Sequence, residues 1–179
     1  LPQASDNVVI NGGPANITWN ATGATTVNTL TFSSTYTGIL SMTAPITTTG
    51  TMALQSGTLQ TAQGTDSTIT VGSTLDVDDG AFIVVRYRDL TTTTLDSSGG
   101  SVAGGYGQII NAQTLVLDGS INADGQGFAS AAGPGALGGE NGASHGGRGA
   151  DFGDTNNTAR TYGSFANPSS LGSGGMSSG

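Results

Sequence analysis

The chain has 179 residues with no cysteine and no lysine; charged residues make up 9%, and eleven aspartates and one glutamate against four arginines leave a net charge of −8. This balance excludes a nucleic-acid partner, since too few cations are present to displace the counterions of a phosphate backbone. The missing cysteine excludes disulfides and thiol chemistry, and no apolar run approaches the roughly 20 residues that span a bilayer, so no membrane insertion is expected.

The start, Leu1-Pro-Gln-Ala-Ser, has neither the basic flank nor the apolar stretch of a signal peptide, and reads as a mature chain whose export signal has been removed. Two textures follow. Residues 1 to about 96 are threonine-rich with short alternating apolar pairs, and residues 97 to 179 hold most of the 31 glycines. In Asn16-Ile-Thr-Trp-Asn20, strand alternation turns Ile17 and Trp19 inward and leaves Asn16 and Asn20 facing solvent. Both asparagines begin N-glycosylation sequons, as does Asn156 further on.

Next come four apolar pairs of strand period: Leu30 with Phe32, Met52 with Leu54, Leu75 with Val77, and Leu115 with Leu117. The stretch Ile46 to Leu59 returns as Ile69 to Phe82, with Met52 matching Leu75, Leu54 matching Val77, Gly57 matching Gly80 and Leu59 matching Phe82. A period in the twenties with strand content marks a solenoid whose repeats bury their faces against one another. Gly57, Gly80 and Gly119 fall where the chain turns a corner, where positive φ is cheap only without a Cβ. The fold expected is all-β, a parallel β-helix with coils of about 22–23 residues stacked at ~4.8 Å. It spans residues 1–124, with an irregular glycine-rich segment over 125–179 that packs on the solenoid or on a neighbouring subunit.

The threonines do not make a regular two-column array of the ice-binding kind: the repeat stacks Thr47 on Thr70 and Thr51 on Thr74, but Thr49 on Gly72. They serve strand propensity and side-chain ladders instead. Asp76 and Asp78 cluster with Asp79 at a predicted turn, and Asn122-Ala-Asp-Gly-Gln-Gly127 has the alternating oxygen donors of a calcium loop. Asn122 with Asp124, and Asp76 with Asp78, are therefore candidates for a structural calcium, against ordinary Asx turns; each lacks the later acidic ligand that closes such a site. No other cofactor is expected.

Ala81-Phe-Ile-Val-Val85 is the most apolar stretch and reads as a strand covered on both faces, ending in Arg86 and Arg88 on one face. These arginines suit an acidic sugar or act as solubility gatekeepers. The separation of Leu75 from Leu115 is too long for one coil and slightly short for two, so an insertion or an irregular coil lies between them. Ser144-His145 carries the only histidine, but adjacent residues rarely reach nucleophile–base geometry and no elbow motif accompanies them. No catalytic residue is assigned.

Val27-Asn-Thr-Leu-Thr-Phe32, Tyr36-Thr-Gly-Ile39, Thr51-Met-Ala-Leu54 and Leu75-Asp-Val77-Asp-Asp-Gly80 resemble the degenerate β-strand repeats of bacterial autotransporter-type and adhesin-type surface proteins, over about residues 16 to 121. Gly142-Ala-Ser-His-Gly-Gly-Arg-Gly149, Tyr162-Gly-Ser, Asn167-Pro and Leu171-Gly-Ser-Gly-Gly175 resemble the glycine-rich blocks of very large microbial surface proteins. The resemblance implies a β-helix at the cell surface or outside the cell. Such proteins usually carry many coils, whereas about four to six are expected here, as in a fragment or an assembling subunit. The function expected is a structural subunit of an extracellular filament, sheath or adhesin stalk that self-assembles through its solenoid ends and glycine-rich tail. A monomeric module that binds glycans is the alternative. A polysaccharide-active β-helix enzyme is the least favoured, because the chain lacks a lysine to serve as the base of a lyase.

Overall fold

A computed structural model describes residues 2–20, 26–95, 98–130, 132–135, 161–164, 166 and 170–174. They form sixteen strands and no helix. By internal packing the chain divides into two compact units, Leu1–Arg86 with Gln108–Ala123, and Tyr87–Gly107 with Asp124–Gly179.

The first unit is a β-solenoid of three parallel strand columns. One column stacks β1 (Asn7–Ile10), β4 (Thr29–Phe32), β7 (Met52–Leu54), and the C-terminal halves of β9 (Ile69–Val77) and β15 (Ile110–Leu117). A second stacks β3 (Thr26–Val27), β6 (Ile46–Thr48) and the N-terminal halves of β9 and β15. Because β9 and β15 run through both columns, the two merge into one seven-stranded sheet. The third column is a five-stranded sheet of β2 (Ile17–Trp19), β5 (Ile39–Met42), β8 (Gly57–Gln60), β10 (Ala81–Val84) and β16 (Ser120–Asn122).

Alternation decides what is inside. Leu30, Phe32, Met52, Leu54, Leu75 and Val77 point inward from the first column and meet Leu40, Leu59 and Ile83 from the third, all without exposed surface. Each such side chain contributes about 1.5–3 kcal/mol by leaving water. The residues between them in the first column, Thr31, Ala53 and Asp76, lie on the outer face.

The repeat seen in the sequence holds along the first two columns, where Ile46 pairs with Ile69, Met52 with Leu75 and Leu54 with Val77. Past the next corner it lengthens by one. Leu59 pairs with Ile83 and not with Phe82, because Asp78-Asp79-Gly80 is one residue longer than Gln55-Ser56 and Ala81 takes the ladder position of Gly57. A slip of one residue reverses every face, so Ile83 is buried while Phe82 is 46% exposed. The stretch from Ala81 is therefore covered on one face only, contrary to its reading from the sequence.

The corner glycines serve two different needs. Gly57 and Gly80 have φ of +79° and +82°. Gly119 has ordinary φ; a Cβ there would collide with the carbonyl oxygens of Asp78 and Ala81, so close approach rather than handedness excludes a side chain. At Gly57 both apply, since a Cβ would lie 2.7 Å from the Tyr36 ring. Tyr36 is buried edge-on against Phe32, with ring centroids 5.3 Å apart, and its hydroxyl donates to the Ala15 carbonyl at 3.1 Å. Burial pushes that hydroxyl's pKa up.

Ile69 pairs with Ile110, and the long gap is one coil carrying the excursion Tyr87–Gly107. On return, Gln108 accepts from the Ser67 N–H at 3.0 Å and donates to the carbonyls of Ala62 and Thr65. This fixes the loop between β8 and β9, where the buried Ser67 hydroxyl also accepts from the Ala62 N–H.

In the second unit, β11 (Tyr87–Asp89) pairs antiparallel with β14 (Tyr106–Gly107), and β12 (Thr93–Leu95) with β13 (Ser101–Ala103). The Asp89 carboxylate accepts from the N–H groups of Thr91 and Thr92 and from the Thr92 hydroxyl. Those bonds, led by the Thr92 hydroxyl, hold its pKa below the usual range. Tyr162 is buried, its hydroxyl donating to the Leu171 carbonyl and accepting from the Ser173 hydroxyl. A Cβ on Gly174 would collide with the Ala129 carbonyl, so this glycine allows close backbone packing within the unit.

Candidate functional site

The residues proposed as metal ligands sit at separate places. Asp76 lies in β9 on the outer face, between Ala53 and Val116 in its column. Asp78 is in the turn before β10, its N–H donating to the Leu54 carbonyl and its carbonyl accepting from Ala81. Asn122 pairs with Val84 at the far end of β10, and the Asp124 carbonyl accepts from the Gln126 side chain. Among the described residues no group of three or more His, Cys, Asp or Glu is placed to hold a metal ion, and no helix is long and apolar enough to cross a membrane.

Asn16 and Asn20 flank β2 and are exposed; the Asn16 side-chain Oδ1 accepts from the Ile39 N–H at 3.0 Å. Trp19 packs against the core as alternation requires, whereas Ile17, on the same face, is left partly exposed in the first strand of its sheet. Asn156, Ser144 and His145 lie outside the described residues. The two arginines do not share a strand: Arg88 belongs to β11, and Arg86 follows β10 in the other unit. Arg86 lines a cleft of about 310 Å³ together with the polar residues Ser41, Thr43, Gln60, Gln63 and Thr65 and the apolar Met42 and Ala62. Among the described residues no carboxylate lines that cleft. Its floor is ordered by the buried Thr61 hydroxyl, which accepts from the Arg86 N–H at 2.8 Å.

The largest departure from a finished core is the last rung. Leu115 and Leu117 pair with the buried Leu75 and Val77, yet are 51% and 43% exposed. Ile121, paired with buried Ile83, is also exposed. The first rung shows the same feature at Ile17, which pairs with buried Leu40. At both ends, residues on the core-facing positions lack a strand neighbour on one side among the described residues.

No protein-family model matches the chain, and neither does any curated protein or solved structure.

The reading of the sequence placed the rung of Leu115 and Leu117 but treated it as equal to the others. A signal was present. Interior rungs carry a polar or small residue between their apolar pair, as in Leu30-Thr-Phe32, Met52-Ala-Leu54 and Leu75-Asp-Val77, whereas the two end rungs carry a valine there, Val8-Val-Ile10 and Leu115-Val-Leu117. The polar lining around Arg86 carried no local signal, since it is assembled from three successive coils.

Proposed function

We propose that this chain is a structural subunit of an extracellular filament, sheath or adhesin stalk, built by adding copies to the ends of the solenoid. The observation that carries the reading is the exposed last rung, in which Leu115 and Leu117 occupy core positions and stay half in water. Beside them runs a parallel strand edge, which templates the addition of another strand. Joining two different ends is heterologous and does not close, so it produces filaments. The acidic, cysteine-free, Thr- and Gly-rich composition, the exposed sequons at Asn16 and Asn20, and the resemblance to repeat-built surface proteins support a location outside the cell.

Negative-stain electron microscopy with light scattering tests this. Wild-type protein is expected to form regular filaments, and Leu115→Asp with Leu117→Asp to leave folded monomers of the 17.6 kDa chain. The Arg86 cleft favours a second reading, a monomeric module for acidic glycans, because a guanidinium among neutral hydrogen-bonding groups suits a sugar carboxylate. A wild-type monomer that saturates with an acidic oligosaccharide would replace the first reading with the second.

A further inference from the structure

We infer that the partner on the last rung is the first rung of a second copy, docked in one register: β15 of one chain against β1 of the next, and β16 against β2. This rests on the assembly reading and specifies it.

The argument begins with the column counts. The first column runs β1, β4, β7, β9, β15 and the third runs β2, β5, β8, β10, β16, so each holds five strands. A second copy therefore meets these two columns at the same level, while the second column, of β3, β6 and the N-terminal halves of β9 and β15, holds four strands and adds no rung to the contact.

The side chains agree. Continuing the first column places Leu115 under Val8 and Leu117 under Ile10, as Leu30 and Phe32 already stack on Met52 and Leu54. Continuing the third places Ile121 under Ile17, extending the inward series Leu40, Leu59, Ile83. Polar positions also coincide. Thr114 meets Asn7, which inside the chain already accepts from the Thr29 hydroxyl at 3.0 Å, and Asn122 meets Thr18.

The outer face discriminates best. Its series reads Val9, Thr31, Ala53, Asp76, Val116. The interior members are polar or small, and the two ends are valines, 59% and 41% exposed. A valine facing solvent at each end gains nothing in an isolated chain. In the stack the two become neighbours at strand spacing, one apolar cross-strand pair. A shift of one residue would set core leucines beside outward side chains.

Because the chain has no cysteine, engineered thiols report this contact without background. Adjacent strand residues lie within disulfide reach, and both valines are exposed enough to replace. Val9→Cys mixed with Val116→Cys is expected to give a covalent dimer on oxidation, and a chain carrying both a ladder. Thr31→Cys mixed with Val116→Cys, one rung out of place, is expected to give no covalent dimer. Trp19, the only tryptophan, lies on the docking rung, so its emission should shift to the blue as the wild-type protein is concentrated. Filaments without the Val9–Val116 crosslink overturn this register and leave the assembly reading standing; a wild-type protein that stays monomeric at every concentration overturns both.

Discussion

The rung of Leu75 and Val77 and the rung of Leu115 and Leu117 are in register with one another, share the same apolar spacing and occupy the same column, yet the first is fully buried and the second half exposed. The difference is that β9 has a strand on each side, β7 and β15, whereas among the described residues the corresponding half of β15 pairs only with β9. In a solenoid, burial belongs to the pair of neighbours, so the same apolar spacing is core in one place and half exposed in another.

Truncation gives the largest expected effect. Leu75→Ala should lower unfolding stability by about 2–5 kcal/mol, because it opens a cavity between two fixed rungs. Leu115→Ala, measured in dilute protein, should cost less than about 1.5 kcal/mol, since much of its surface is already wet. Urea titrations of the two variants decide the matter, and equal losses would break the comparison.

Glycine substitution asks the same question of the backbone. Gly57 and Gly80 share a positive φ, but Gly57 faces the Tyr36 ring whereas nothing lies within 4 Å of a Cβ at Gly80. Gly80→Ala should cost about 1 kcal/mol for handedness alone, and Gly57→Ala about 2–3 kcal/mol once the ring must move. Thermal melts would show a clear gap between them.

The smallest effect lies outside the stack. Asp89 titrates below its unfolded value, so its bonds to Thr91 and Thr92 stabilise that turn above the ordinary carboxylate range. The contribution fades as pH falls through the lowered folded value. The protection of the Thr92 amide from hydrogen exchange, taken relative to the intrinsic rate at each pH, should fall on acidification with little change in overall unfolding, and Asp89→Asn should remove that loss of protection. An acid response spread through the solenoid core would contradict this.

Much of the solenoid was legible because side-chain period and repeat period are both sequence properties: Met52 over Leu75 and Leu54 over Val77 needed only counting. The register beyond Gly80 was not, because turn length shifts the frame by one residue and the glycines mask it by aligning perfectly. Gly119 looked like a handedness position, and only the approach of two carbonyls shows otherwise. The candidate metal pairs, Asp76 with Asp78 and Asn122 with Asp124, were read from the spacing of oxygen donors along the chain, which does not say whether a third acidic ligand folds beside either pair. The end rungs were readable in principle, as the two places where alternation lapses into a valine.

The excursion Tyr87–Gly107 also bears on how the molecule is made. Leu30 reaches Met52 across a single plain coil, whereas Ile69 must wait for Ile110, almost twice as far along the chain. Closing the longer loop costs about 0.5 kcal/mol more in chain entropy, and its ladder gains contacts on one side only. Folding should therefore zip outward from the middle coils and set β15 in place last. The exposed edge of β15 thus becomes available only after the body beneath it has formed; on the assembly reading proposed above, half-folded chains would have no edge to join.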